Sequence, residues 1–117
     1  MKYSALTYIT FYVRNFQRVV EFYRDVLGLE VEQLDDGFAR FRTAGGFMLA
    51  FHYADQPVLA RPVPEVHFEV ADVDAAYREL QARGVRFERE PADMPGGARL
   101  AACRDPEGLA VEFVSHA

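Results

Sequence analysis

The sequence predicts an α+β fold made of two consecutive βαβββ modules, each a mixed sheet with its helix on the outer face. Three observations predict it. Segments that alternate with period two and segments with helical three- and four-residue spacing follow one another in the same order twice. Matched stretches recur at a nearly fixed offset: Val13-Arg14-Asn15 with Val70-Ala71-Asp72, GLEVE at 28–32 with GVRFE at 84–88, and GFMLAF at 46–51 with GLAVEF at 108–113. Each half of the 117-residue chain also carries too little apolar surface to stand alone, so the two are expected to pack together as one domain.

The first module is placed at 1–53. Ala5–Val13 is rich in β-branched and aromatic residues and alternates Ile9, Phe11, Val13 against Tyr8, Thr10, Tyr12, which reads as a strand. Asn15 is the expected N-cap of a helix whose apolar stripe is Phe16, Val19, Val20, Tyr23, Val26 and Leu27, stopped by Gly28. Strands follow at Leu29–Leu34, Phe38–Arg42 and Phe47–Tyr53, separated by the turns Asp35-Asp36-Gly37 and Ala44-Gly45-Gly46. Ala54–Pro64 holds three of the six prolines and reads as a linker.

The second module is placed at 65–117. Glu65–Val70 alternates as a strand, Asp72 is the expected N-cap, and Val73, Ala76, Tyr77 and Leu80 form the second helical stripe, ended by Gly84. Val85–Glu88 reads as a strand, Glu90–Gly97 as a loop and Arg99–Cys103 as a strand. Asp105-Pro106-Glu107-Gly108 has the residues of a type I turn, and Leu109–Val114 alternates again.

Bulk properties narrow the function. Half of the residues are hydrophobic and a quarter charged, with ten Phe, six Tyr and no Trp, as in a soluble globular protein. A net charge of −5 disfavours non-specific nucleic-acid binding, which needs a basic face. No run approaches the ~20 apolar residues of a membrane helix, and Thr7, Tyr8, Thr10 and Tyr12 interrupt any signal-peptide core, so a cytoplasmic location is expected. The single cysteine, Cys103, lies in an apolar run and reads as a buried structural thiol rather than a nucleophile. Arg78, Glu79, Arg83, Arg86, Glu88, Arg89 and Glu90 read as a solvated, mixed-sign face. No phosphate loop, serine triad or zinc cluster is present.

FYRDVLGLEV, HFEVADVDAAYREL, RGVRFE and RDPEGLAVEF, in this order and spacing, resemble the vicinal oxygen chelate superfamily, which includes glyoxalase I, bleomycin-resistance proteins and extradiol dioxygenases. The resemblance covers nearly the whole chain. It implies paired βαβββ modules whose sheets curl round a cavity, a homodimer, and a small-molecule ligand. It also implies which sheet face meets that ligand: Tyr8, Thr10, Tyr12, Met48, Ala50, His52, Glu65, His67, Glu69, Ala110, Glu112 and Val114, opposite the apolar residues that pack on the helices.

In metal-dependent members four ligands are contributed by the first and last strands of the modules. By resemblance these positions fall on Tyr8, Ala50, Glu65 and Glu112. Only Glu112 has the usual type. A tyrosine phenol is a poor ligand near neutral pH and alanine is none. His52 and His67 each lie two residues past such a position, a displacement of roughly 6–7 Å along a strand, so a site using them would need a shifted register.

Two readings follow. The first is a metal-free binding protein like the bleomycin-resistance branch, with Tyr8, Tyr12, His52, Glu65, His67 and Glu112 contacting a planar or cationic molecule, no cofactor, and a role such as antibiotic resistance. The alternative is a lyase or dioxygenase with a divalent metal on Glu65 and Glu112 together with His67 or His52, which would polarise adjacent substrate oxygens. Metal-free acid–base chemistry by Glu65, Glu112 or His67 uses the same groups. Glu65 and Glu112 across one cavity would repel unless a proton, cation or donor lay between them.

Overall fold

Alternating residues in the first module form β1 (Tyr8–Val13), β2 (Glu30–Leu34), β3 (Phe38–Arg42) and β4 (Met48–Tyr53) of a computed structural model that describes residues 1–3, 5–57 and 64–116. They make one open mixed sheet in the order β1-β4-β3-β2, with β1 parallel to β4 and the other pairs antiparallel. The second module repeats this with β5 (Glu65–Glu69), β6 (Phe87–Asp93), β7 (Ala98–Arg104) and β8 (Ala110–His116) in the order β5-β8-β7-β6. Here β5 is parallel to β8 and the remaining pairs are antiparallel. The class is α+β, as expected. The chain forms two compact units, Met1–Val58 and Leu59–Ala117. The expected linker at 54–64 falls largely on residues 58–63, outside the described residues.

The helical stripe of the first module becomes α1 (Phe16–Glu21), which continues into a π-helical turn at Phe22–Val26 rather than one uniform helix. The wider turn is closed by Leu27 N–H donating to the Phe22 carbonyl at 2.9 Å. It carries Tyr23 fully into the core, with its ring centroid 4.5 Å from that of Phe51 and 6.0 Å from that of Phe41. Gly28 then reverses the chain at φ 76°, a left-handed conformation that suits glycine. Asn15 precedes α1, but its side chain does not cap the helix as expected.

Asp72 does cap the second helix, α2 (Val73–Ala82), by accepting a hydrogen bond from the Ala75 N–H at 3.1 Å. Arg99 of β7 ties α2 to the sheet through both Asp74 oxygens, at 2.8 and 3.0 Å. Asp74 accordingly sits below its ordinary pKa, chiefly through that hydrogen bond.

Period two sorts the faces. Ala39, Phe41, Leu49 and Phe51 are buried under α1, while Ala101, Cys103, Val111 and Phe113 are buried in the second module. Cys103 is buried, as its apolar run implies, and burial pushes its thiol up to about 11. Strand bounds differ most from expectation in β1 and β6. β1 starts at Tyr8 rather than residue 5, although Met48 N–H still donates to the Thr7 carbonyl at 3.0 Å. β6 runs on through Asp93, so the first part of the expected Glu90–Gly97 loop is strand. Its register against β7 slips twice, between Phe87 and Arg89 and between Arg89 and Ala92, and such irregularities let Pro91 sit inside a strand.

Candidate carboxylate–histidine site

The turn at Asp105–Gly108 aims β8. Gly108 N–H donates to the Asp105 carbonyl at 2.9 Å, and the buried Asp105 carboxylate accepts from Glu107 N–H at 2.8 Å and Leu109 N–H at 2.9 Å. From that fixed start, alternation puts Val111 and Phe113 on the core face and Glu112 on the opposite one.

The parallel register pairs His67 of β5 directly with Glu112, and Glu65 with Ala110. His67, two residues past the ligand position that resemblance assigns to Glu65, is thus brought opposite Glu112, whereas a site using it was expected to need a shifted register. His67 is the direct cross-strand neighbour, and Glu65, two residues earlier on the same face, reaches toward it. His67 Nε2 is 3.0 Å from Glu112 Oε2 and 3.5 Å from Glu65 Oε2. The ligand atoms of the three residues all lie within 4.8 Å of one another.

Their environments differ. Glu112 is buried, at 6% exposure, whereas Glu65 and His67 are open to solvent on one side. Burial pushes the Glu112 carboxyl above its ordinary pKa, helped by a hydrogen bond with the Glu65 carboxyl, while that same bond holds Glu65 below its own. The two carboxyls are thus shifted in opposite directions. Glu112 Oε2 is fully enclosed yet makes no aligned hydrogen bond, so its approach to His67 is a close contact without donor geometry.

Arg89 is exposed, as expected of the mixed-sign face, yet it also reaches this site. In register it lies on one row with Ala102 and Glu112. The small Ala102 lets its guanidinium cross β7, bringing Nη1 to 3.8 Å from Glu112 Oε1. The signal was the odd position of Arg89 in an alternating strand, but the β6 bulges shift that parity and hid it.

The other expected contacts belong to the first module. Tyr8 and Tyr12 of β1 and His52 of β4 share one sheet face, with Tyr12 opposite His52 in register and their ring centroids 5.5 Å apart. The His52 Nδ1 is 2.8 Å from the Tyr53 carbonyl. None of the three is in the carboxylate–histidine group.

Two carboxylates and an imidazole are a donor set that suits hard or borderline divalent ions, and Glu65, His67 and Glu112 could hold one. At the positions of the first module that resemblance equates with metal ligands, Tyr8 and Ala50 bring no such donor, and the Arg40 guanidinium lies 4.9 Å from the Tyr8 ring centroid.

Comparison with known proteins gives a consistent picture. The profile described as Glyoxalase/Bleomycin resistance protein/Dioxygenase superfamily matches residues 5–113. The uncharacterized protein YraH of Bacillus subtilis (strain 168) is 29% identical over 122 residues, covering 92% of this chain and 95% of YraH. A lactoylglutathione lyase from Agrobacterium tumefaciens has a similar structure, with a TM-score of 0.74 at 25% identity over 98% of this chain and 96% of that one. TnmS3, an antibiotic-binding protein from Streptomyces sp. CB03234, shares the fold with a TM-score of 0.80 at 21% identity, over 100% and 99% of the two chains.

Proposed function

The chain belongs to the glyoxalase, bleomycin resistance protein and dioxygenase superfamily, and from that premise we propose that it binds a small organic molecule without a metal, anchoring it on Glu65, His67 and Glu112. The observation that carries this reading is Glu112 itself, a buried carboxyl beside a second carboxyl with one oxygen making no hydrogen bond. A buried polar group left unpaired costs about 1–3 kcal/mol. A ligand bringing an amine or hydroxyl donor recovers that energy, and a cationic amine gains further from the acidic pair. The proposed assembly is a cytoplasmic homodimer, and the shared fold with an antibiotic-binding protein supports sequestration of a toxic small molecule.

The test combines elemental analysis of protein purified without added metal with thermal shifts against a panel of aromatic amines. The reading expects substoichiometric metal and stabilisation by a subset of amines, lost in Glu112→Gln. Stoichiometric nickel, zinc, iron or manganese contradicts it.

A second reading has its own observation, the convergence of the three ligand atoms within 4.8 Å. In it Glu65, His67 and Glu112 hold a divalent ion, which when bound polarises two adjacent substrate oxygens in a lyase or dioxygenase reaction. The similarity to a lactoylglutathione lyase supports it. This version expects chelation to lower the melting temperature, since an ion bound only to the native state stabilises it. A melting temperature unmoved by chelator rejects it.

A further inference from the structure

The two modules present opposite charge at matching places on their sheets. In the second module the register row reads His67, Glu112, Ala102, Arg89 across β5, β8, β7 and β6. The matching row of the first module reads Thr10, Ala50, Arg40, Gln33 across β1, β4, β3 and β2. Where the second module has a buried carboxyl on its β8, the first has Ala50; where the second has Ala102, the first has Arg40.

Arg40 is placed in an unusual way. Strands lie about 4.8 Å apart, so a β3 side chain touches β1 only by crossing β4. Ala50, opposite Arg40 in register, is small enough to permit this, and the guanidinium carbon comes to 4.9 Å from the Tyr8 ring centroid. Phe38, two residues earlier on the same face, lies 5.9 Å away on centroid. Phe38 is flanked by His52, whose ring is 6.2 Å from that of Phe38 and 5.5 Å from that of Tyr12.

The cation is held by π-faces and lacks a counter-ion. Arg42 on the same strand pairs with Glu30 and Glu32, but no carboxylate among the described residues pairs with Arg40. Its Nε is buried without a hydrogen-bond partner. The side chain is half-buried. A planar cation fixed on aromatic rings, with its Nε unpaired, the exposed Tyr8 against it and the exposed Tyr12 on the same sheet face, matches the two oxygens and flat face of an aromatic carboxylate.

We propose that the β1-β4-β3 face of the first module, built on Arg40 with Tyr8, Phe38, Tyr12 and His52, is a binding site for an aromatic carboxylate. The carboxylate pairs with the Arg40 fork and the ring stacks on the neighbouring aromatics. This site is distinct in residues and in sign from the Glu65–His67–Glu112 anchor, and the two readings fail separately.

The test uses benzoate as probe, benzamide as its uncharged counterpart and inorganic phosphate as a non-aromatic anion, each titrated into 15N-labelled full-length protein. The proposal expects saturable benzoate shifts centred on Phe38–Arg42 and Met48–His52, at least tenfold weaker binding of benzamide and phosphate, and at least tenfold weaker benzoate binding in Arg40→Met. Equal binding of benzoate and benzamide in the unaltered protein overturns it without any variant. So do benzoate shifts centred elsewhere, absence of benzoate shifts, or phosphate bound as tightly as benzoate. Undiminished benzoate binding in a folded Arg40→Met also overturns it.

Discussion

Glu112 and Glu65 are neighbours whose protonation is pulled in opposite directions, and this gives the site a pH signature. The Glu112 pKa is raised on folding, mainly by burial, so the native state binds more proton than the unfolded chain from the ordinary glutamate value of 4.5 upward. Stability therefore falls as pH rises through that interval. Glu65 is shifted the other way, and its contribution is lost only as pH falls below its ordinary value. Glu112→Gln keeps the shape and can donate to Glu65. Thermal melts of this variant should show a smaller loss of stability as pH rises above 4.5 than the unaltered protein shows; an unchanged slope would mean that folding leaves the Glu112 carboxyl unshifted. Cys103 supplies a second residue-level expectation. Its thiol is buried and pushed up to about 11, so a disulfide reagent at pH 8 should leave it unmodified in the native protein and modify it fully in denaturant. Tyr23, with no exposed surface, should cost about 3–5 kcal/mol on truncation to alanine, as for other large core aromatics, read from urea unfolding. Sequence alternation identified Glu112, Glu65 and His67 as sharing a face. It could not show that His67 pairs with Glu112, because register between two separate strands depends on hydrogen bonding that no single strand encodes.

At the scale of elements, local chemistry was readable wherever one residue type has one job. DPEG is a turn, Asp72 is a cap, and Phe38–Arg42 is a strand with the bounds its alternation implies. The turn has a measurable weight. Asp105 is buried and accepts from two backbone N–H groups, so Asp105→Ala should cost about 1–3 kcal/mol through donors left unpaired. A loss below that range in urea unfolding would show that water replaces the carboxylate. The elements that were not readable are those where tertiary packing overrides pattern. The first helix keeps a continuous apolar stripe, yet it widens into a π turn so that Tyr23 can fill the space between Phe41 and Phe51. Pro91 and the nearby glycines suggested a loop, but β6 absorbs the proline in an irregular, bulged edge strand. Those bulges also decide that Arg89, though exposed, shares a row with Glu112.

For the whole molecule, the repeat was the most legible feature, because a duplicated element order leaves two copies of every signal. The match of residues 5–113 to one superfamily agrees with it. What the repeat conceals is divergence between its copies. Read as equivalents, the modules would present like sites, yet one carries Glu65, His67 and Glu112 and the other carries Arg40 on Tyr8. The central claim is that the carboxylate–histidine group serves a ligand with hydrogen-bond donors and no metal. Native mass spectrometry of protein purified without added metal tests it most directly. The account predicts a homodimer at the mass of two bare chains. A mass increment of one divalent ion per chain, lost in Glu112→Gln, would contradict it.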